Sequence, residues 1–351
     1  TYKVLFLFKE SNFIISNMPI GLSGLHNYGN TCYINSAIQC FSNTKELTEY
    51  FLNNESIKNL LVKENILTRE YHKLISGIHE ENCTIAASSF MKSIKYIGKR
   101  ENLDINFSRQ NDIHEFIIFF IDTIHEELKR KINISITGKI VNGEDKLAYE
   151  SMKQWKRDFE NNYSEMVKLF YGQIISVIKV KNKNIKSLNY SPLCVFSIPI
   201  GEEDCSIYDC FDLFCKKHEL VGDNQWKNDK DTKYYDATQH IEIWDFPNIL
   251  IIHLKRFTNF GQKKYNHIDF PINNLNLKKY CCGYNKDESV FDLFAISNHI
   301  GICNMGHYYS YCKNFYDNKW YEFDDSTVCE IDENKLVTDN AYCLFYRKKK
   351  I

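Results

Sequence analysis

The chain has 351 residues, 44% hydrophobic and 25% charged, which allows a sizeable buried core and excludes a disordered or fibrous protein. Its 44 basic residues balance 45 acidic ones, so a net charge of −1 offers no bulk attraction for nucleic acid. Thirteen cysteines are an odd number in a chain too long for a disulfide scaffold, and the one apolar run near the start, Val4–Phe8, is too short for a secretory core or a membrane span. Free thiols in a reducing compartment are therefore expected.

Residues 1–20 read as an N-terminal extension. The first third then reads as helical. A helix opens at Tyr33–Cys40, and Ser56–Ile78 carries apolar residues at mixed three- and four-residue steps. The clearest helix is Asn111–Lys129, where Ile113, Phe116, Ile117, Phe120, Ile121, Ile124 and Leu128 share one broad face. Polar Gly138–Glu150 reads as a loop before another helix at Met152–Lys168. The pattern then turns to strands at Gln173–Val180 and Cys194–Ile200, with a brief helix at Ile207–Lys217. Ile249–Leu254 is a continuous apolar run, as in a strand buried on both faces. Phe291–Ile300, His307–Lys313, Lys319–Phe323 and Ala341–Tyr346 complete the strands. Helices first and strands after predict an α+β architecture rather than a parallel doubly wound sheet.

Three short segments hold groups suited to thiol catalysis. In Gly21–Ser36, Gly29 and Asn30 form a turn, Asn30 or Thr31 is the candidate cap, and Cys32 falls at the start of the helix. The positive end of the dipole and the free N–H groups there favour a thiolate and can hold an oxyanion, with the Asn27 amide as a further donor. From this segment alone Cys32 could equally be one buried thiol among thirteen. In Ser297–Ser310, His307 follows a glycine at the start of a strand and could take and return a proton. In Trp320–Ser326, Asp324 lies 17 residues further on, suited to a strand–turn–strand return that fixes the imidazole tautomer.

The first segment resembles the Cys box of the ubiquitin-specific proteases, and the second and third resemble that family's His box. Gln110-Asn111-Asp112-Ile113-His114-Glu115-Phe116, Leu169–Gln173, Pro247–Phe257 and Ala341–Tyr346 are similar to four further motifs of the family, in the same order. The resemblance implies a papain-like cysteine protease shaped as a hand. A catalytic domain would span 21–348, with a helical thumb at about 21–130, β fingers at about 172–245 and a β palm mainly at 246–346. It implies Cys32 as nucleophile, His307 as base, Asp324 as its orienting partner, Asn27 as oxyanion donor and Asp325 as a supporting carboxylate. Asp112, His299 and Tyr308 match positions lining the cleft for the ubiquitin tail. The implied partners are ubiquitin and ubiquitinated proteins, with no membrane or nucleic acid, and the expected enzyme is an intracellular monomer, cytoplasmic or nuclear.

Two departures qualify the resemblance. The finger positions where many relatives carry zinc-binding Cys pairs hold Val180, Lys183, Lys227 and Lys230, so no metal and no cofactor are expected. Cys205, Cys210 and Cys215 step by five and read as scattered packing thiols. Asn111 also replaces one of the family's paired glutamines, and Ile113 a small residue. Two other functions compete with an active deubiquitinase: a ubiquitin-binding module without catalysis, and a protease for another ubiquitin-like modifier.

Overall fold

The computed structural model describes residues 21–349 apart from 54–56, 58–61, 63, 104, 106, 108 and 304. The extension at 1–20 and part of the candidate helix 56–78 lie outside the described residues.

Two short strands, β1 (Gly24–Leu25) and β2 (Thr84–Ile85), pair in parallel beside a set of helices. These helices are α1 (Cys32–Ser42), α2 (Lys45–Asn53), α3 (Ile66–Ile78), α4 (Ser88–Arg100) and α5 (Ile113–Leu128). All of α1 is buried, so it is the central element and the others pack around it. The seven residues assigned from periodicity to one face of α5 are all buried, as its 3.6-residue repeat demands. Asp112 caps α5 by accepting a hydrogen bond from the His114 N–H at 2.8 Å.

The polar stretch expected as a loop is instead the start of α6 (Gly143–Phe159). Asn142 and Asp145 form a reciprocal capping box there, each side chain accepting from the other's backbone N–H. Few α6 residues are buried, so the helix lacks the apolar stripe by which a helix is read from sequence. The helix expected at 152–168 is broken at 160–164, and Ser164 caps a separate short helix, α7 (Glu165–Phe170).

A four-stranded antiparallel sheet follows, ordered β4-β3-β7-β6, from β3 (Gly172–Val180), β4 (Lys186–Leu193), β6 (His218–Leu220) and β7 (Ala237–Asp245). Near its far end, where the zinc thiols are missing, Lys183 Nζ stands 4.3 Å from the centre of the Tyr235 ring and Lys181 pairs with Glu219 at 2.5 Å.

The larger sheet has eight strands. In sequence they are β5 (Val195–Pro199), β8 (Ile249–Lys255), β9 (Leu275–Asn276), β10 (Val290–Ile302), β11 (Met305–Lys313), β12 (Trp320–Asp324), β13 (Thr327–Glu330) and β14 (Ala341–Lys348). Seven are ordered β13-β12-β11-β10-β14-β8-β5, and β9 adds to β10. All these pairings are antiparallel except β5 with β8. Along β8 the faces alternate: Ile249 and Ile251 enter the core shared with the helices, whereas Leu250, Ile252 and Leu254 enter the core on the other face. That second core is closed by α8 (Ile207–Phe214).

Cys205 and Cys210 depart from the scattered arrangement expected for them. Ser206 caps α8, so Cys205 precedes the helix and its sulfur lies 3.8 Å from that of Cys210. A helical wheel does not apply across a cap.

Candidate active site

The loop leading into α1 is held by its own side chains. Gly29 adopts φ +115°, with the space where a Cβ would sit 3.3 Å from the Phe107 carbonyl. Thr31 stands at the N-cap position without capping. Its hydroxyl accepts from the Tyr28 N–H at 2.9 Å and donates to Asn27 Oδ1 at 3.1 Å. The first turn of α1 therefore has no side-chain cap, and its N–H groups at Cys32 remain available to a developing negative charge.

Cys32 is 2% exposed and stands beside His307, which is carried by β11. The other side of the imidazole meets β12, where Asp324 Oδ1 is 2.5 Å from His307 Nε2. One ring nitrogen thus serves the carboxylate, leaving Nδ1 for the thiol. Contact with Cys32, together with the Asp324 carboxylate, raises the His307 pKa to about 9 against an opposing effect of burial. The imidazolium is favoured between these two partners.

Asp325 takes a different position from Asp324. It occupies the β12–β13 turn at φ +50°, and its carboxylate faces the loop before α1. Oδ2 accepts from Asn27 Nδ2 and Oδ1 from Asn35 Nδ2, each at 2.8 Å. With Asn27 Oδ1 bonded to Thr31, the Asn27 amide is held at both ends and keeps one N–H hydrogen unassigned. Asn35 carried no expected role; the signal for it was an amide side chain three residues after Cys32, within the segment that resembles the Cys box.

The residues matched to the tail cleft form one aromatic cluster. Asp112 accepts from the Tyr342 hydroxyl at 2.7 Å, and the His299 ring lies 4.6 Å from Tyr308 and 5.8 Å from Tyr342. His299 and Tyr308 are buried, so they support the wall from within. Burial, with Lys263 and His307 nearby, lowers the His299 pKa to about 4 and keeps the ring neutral. Tyr33, Asn111, Asp112 and Phe116 are among the residues lining an open groove of about 740 Å³ that runs along α4 and α5, from Arg100 and Glu126 to the residue after Cys32. Among the described residues, the one cluster with metal-ligand spacing is His307, Asp324 and Asp325, whose atoms are engaged with one another and with Asn27 and Asn35.

A thiol at a helix start, an imidazole beside it and a carboxylate behind the imidazole are the groups that thiol chemistry needs, and here they sit on an α+β, papain-like scaffold. The chain belongs to the ubiquitin carboxyl-terminal hydrolase family, whose sequence profile matches residues 23–346. It is 34% identical over 336 residues to ubiquitin carboxyl-terminal hydrolase Usp2 of Drosophila melanogaster, covering 93% of this chain and 35% of that protein. Against human ubiquitin carboxyl-terminal hydrolase 2 the identity is 31%, covering 93% of this chain and 55% of that one. The chain thus spans about a third to a half of these relatives. Its fold is similar to that of the SAGA Ubp8/Sgf11/Sus1/Sgf73 module bound to ubiquitin aldehyde, with a TM-score of 0.71 at 24% identity, over 94% of this chain and 70% of the other.

Proposed function

We propose that the chain is a thiol-dependent deubiquitinase that hydrolyses the isopeptide or peptide bond after the C-terminal glycine of ubiquitin. The observation that carries this reading is the place of His307, bonded to Asp324 on one side and beside Cys32 on the other. Ubiquitin as the modifier is supported by the names of the relatives and by the ubiquitin aldehyde in the Ubp8 complex.

In this mechanism the Cys32 thiolate attacks the carbonyl carbon of the terminal glycine. The oxyanion accepts hydrogen bonds from the Cys32 N–H and the free Asn27 amide hydrogen. As the tetrahedral intermediate collapses, the C–N bond breaks and the His307 imidazolium gives its proton to the departing lysine amine. Water then attacks the thioester, His307 accepts its proton and Cys32 leaves as thiolate. Asp324 keeps the ring oriented, and Asp325 acts through Asn27. The modifier tail would lie in the cleft beside Asp112, with His299 and Tyr308 backing its wall.

In this reading the helices of 21–130 are the thumb, the four-stranded sheet within 172–245 the fingers and the larger sheet, mainly 246–346 with β5 added at its edge, the palm. An intracellular setting, cytoplasmic or nuclear, is supported by thirteen free thiols. Among the described residues no helix is long and apolar enough to cross a membrane. The absence of nucleic-acid binding accords with the near-zero net charge, and a monomer is the expected state.

The test is release of an amine reporter from the ubiquitin C-terminus by wild type and by Cys32→Ala. Wild type should turn over and the variant should not; equal rates would exclude Cys32 as the nucleophile. Probes built on other ubiquitin-like modifiers, each with a C-terminal electrophile, separate the choice of modifier from catalysis. Binding to ubiquitin without labelling of Cys32 would favour a non-catalytic module.

A further inference from the structure

Gln110 and Asn111 are consecutive residues just before the cap of α5, and each reaches across to a neighbour of a different catalytic group. Gln110 makes a two-point amide pair with the backbone of Gly306, the residue before His307. The Gly306 N–H donates to Gln110 Oε1 at 2.6 Å, and Gln110 Nε2 donates back to the Gly306 carbonyl. Asn111 Nδ2 donates to the hydroxyl of Tyr33, the residue after Cys32, at 3.1 Å. From this geometry we infer that Gln110 and Asn111 are a positioning pair that sets the distance between the Cys32 thiol and the His307 imidazole. The inference rests on the catalytic reading above.

The backbone at Gly306 needs such a support. On one side β11 pairs with β10 through Gly301 and Gly306, but on the other side its pairing with β12 begins only at Ser310. The edge of β11 at Gly306 is open, and the Gln110 side chain fills it as a strand's peptide group would. Beyond it, Ile302, Cys303 and Met305 of the hairpin tip are exposed. A Cβ on Gly306 would stand 2.2 Å from His299 Nε2, so this backbone is pressed between the imidazole of His299 and the amide of Gln110. Bonds to both the N–H and the C=O of Gly306 fix the peptide planes on either side of it, and the second plane leads directly into His307.

The mount behind the pair is rigid. Asp112 is fixed by the His114 N–H and the Tyr342 hydroxyl, and Tyr342 is buried in β14. The segment 110–112 therefore joins the α1 side of the site, the β11 side and the centre of the large sheet. A side chain shorter than Gln at 110 leaves the Gly306 edge unpaired and lets His307 drift from Cys32. A misplacement of about 1 Å in such a site can cost on the order of a hundredfold in rate.

The test uses the whole chain and two independent readouts, reporter turnover and substrate-free alkylation of Cys32 by iodoacetamide across pH. In Gln110→Ala, kcat and the neutral-pH alkylation rate should both fall on the order of tenfold to a hundredfold, with KM within about twofold of wild type. Gln110→Glu keeps an acceptor for the Gly306 N–H and should recover part of both rates. Asn111→Ala should act in the same direction, and the double variant should lose less than the product of the single losses, because both act on one distance. Wild-type kcat and alkylation in Gln110→Ala and Gln110→Glu would overturn the inference, as would a change confined to KM. If Gln110→Ala does not fold, Gln110→Glu and Asn111→Ala decide. Should wild type release no reporter, the catalytic reading fails by itself, whereas the alkylation profiles still report whether the pair holds Cys32 against His307.

Discussion

Asp325 Oδ2 accepts a 2.8 Å hydrogen bond from Asn27 Nδ2, joining a palm-side turn to the loop before the nucleophile across 298 residues of sequence. The adjacent Asp324 bonds His307 and Asp325 bonds Asn27, so two neighbouring carboxylates face opposite sides of the site. In the proposed mechanism one addresses the proton and the other the oxyanion. The strand-to-turn transition at Asp325, with φ +50°, directs the two side chains apart.

Asn27→Ala should lower kcat by about 10²–10³-fold with little change in KM, the usual cost of losing an oxyanion donor. Asp325→Ala should lower kcat in the same way but less, since Thr31 still holds the Asn27 carbonyl. Steady-state kinetics of both variants and their double mutant should give a clearly sub-additive loss. Additive losses would mean that Asp325 acts elsewhere.

The raised pKa of His307 predicts the alkaline limb of the activity profile. Imidazolium beside Cys32 should persist until pH rises through about 9, and turnover should fall above that. The sign for stability is the same. A folded-state pKa above the unfolded 6.5 gives stability that is full below pH 6.5 and lost toward pH 9. Asp324→Asn removes one cause of the rise, so the alkaline limb should move to lower pH while kcat drops sharply. An unmoved limb in kcat/KM against pH would assign it to another group.

Several buried histidines set the acid limit of the fold. Burial lowers the pKa of His79 to about 4, and burial with the charges of Lys263 and His307 does the same for His299. His253 and His114, stacked with ring centres 4.2 Å apart, are also lowered by burial. Because the unfolded chain binds these protons first, stability should fall as pH drops from 6.5 toward 4. Denaturant midpoints measured across that range check this. A midpoint unchanged down to pH 4 would contradict it.

The four-stranded sheet should hold without metal. Lys183 stacked on Tyr235 and the Lys181–Glu219 pair occupy the region where thiol ligands are missing. Adding a strong zinc chelator should therefore leave the thermal unfolding midpoint unchanged. A fall in that midpoint would point to ligands other than the four expected cysteines.

What sequence made legible depended on whether the governing pattern was local. The α5 stripe repeats at the period of its helix, and the β8 run is largely apolar because both its faces are buried, so both were readable directly. The start of α6 was missed because its stability signals lie in a capping box and in contacts made elsewhere, not in an apolar repeat. Cys205 and Cys210 were misplaced because the start of α8 falls between them.

By itself, the sequence determined which residue types were present to do chemistry: a thiol at a helix start, a histidine on a strand and an acid 17 residues beyond it. Those are properties of local spacing and of side-chain chemistry. Only the tertiary structure decided that Asp324 and Asp325 face different partners, and that Gln110 grips Gly306 from 196 residues away. Such pairings depend on strand register and on how α5 docks against the sheet, and no periodicity along the chain records either.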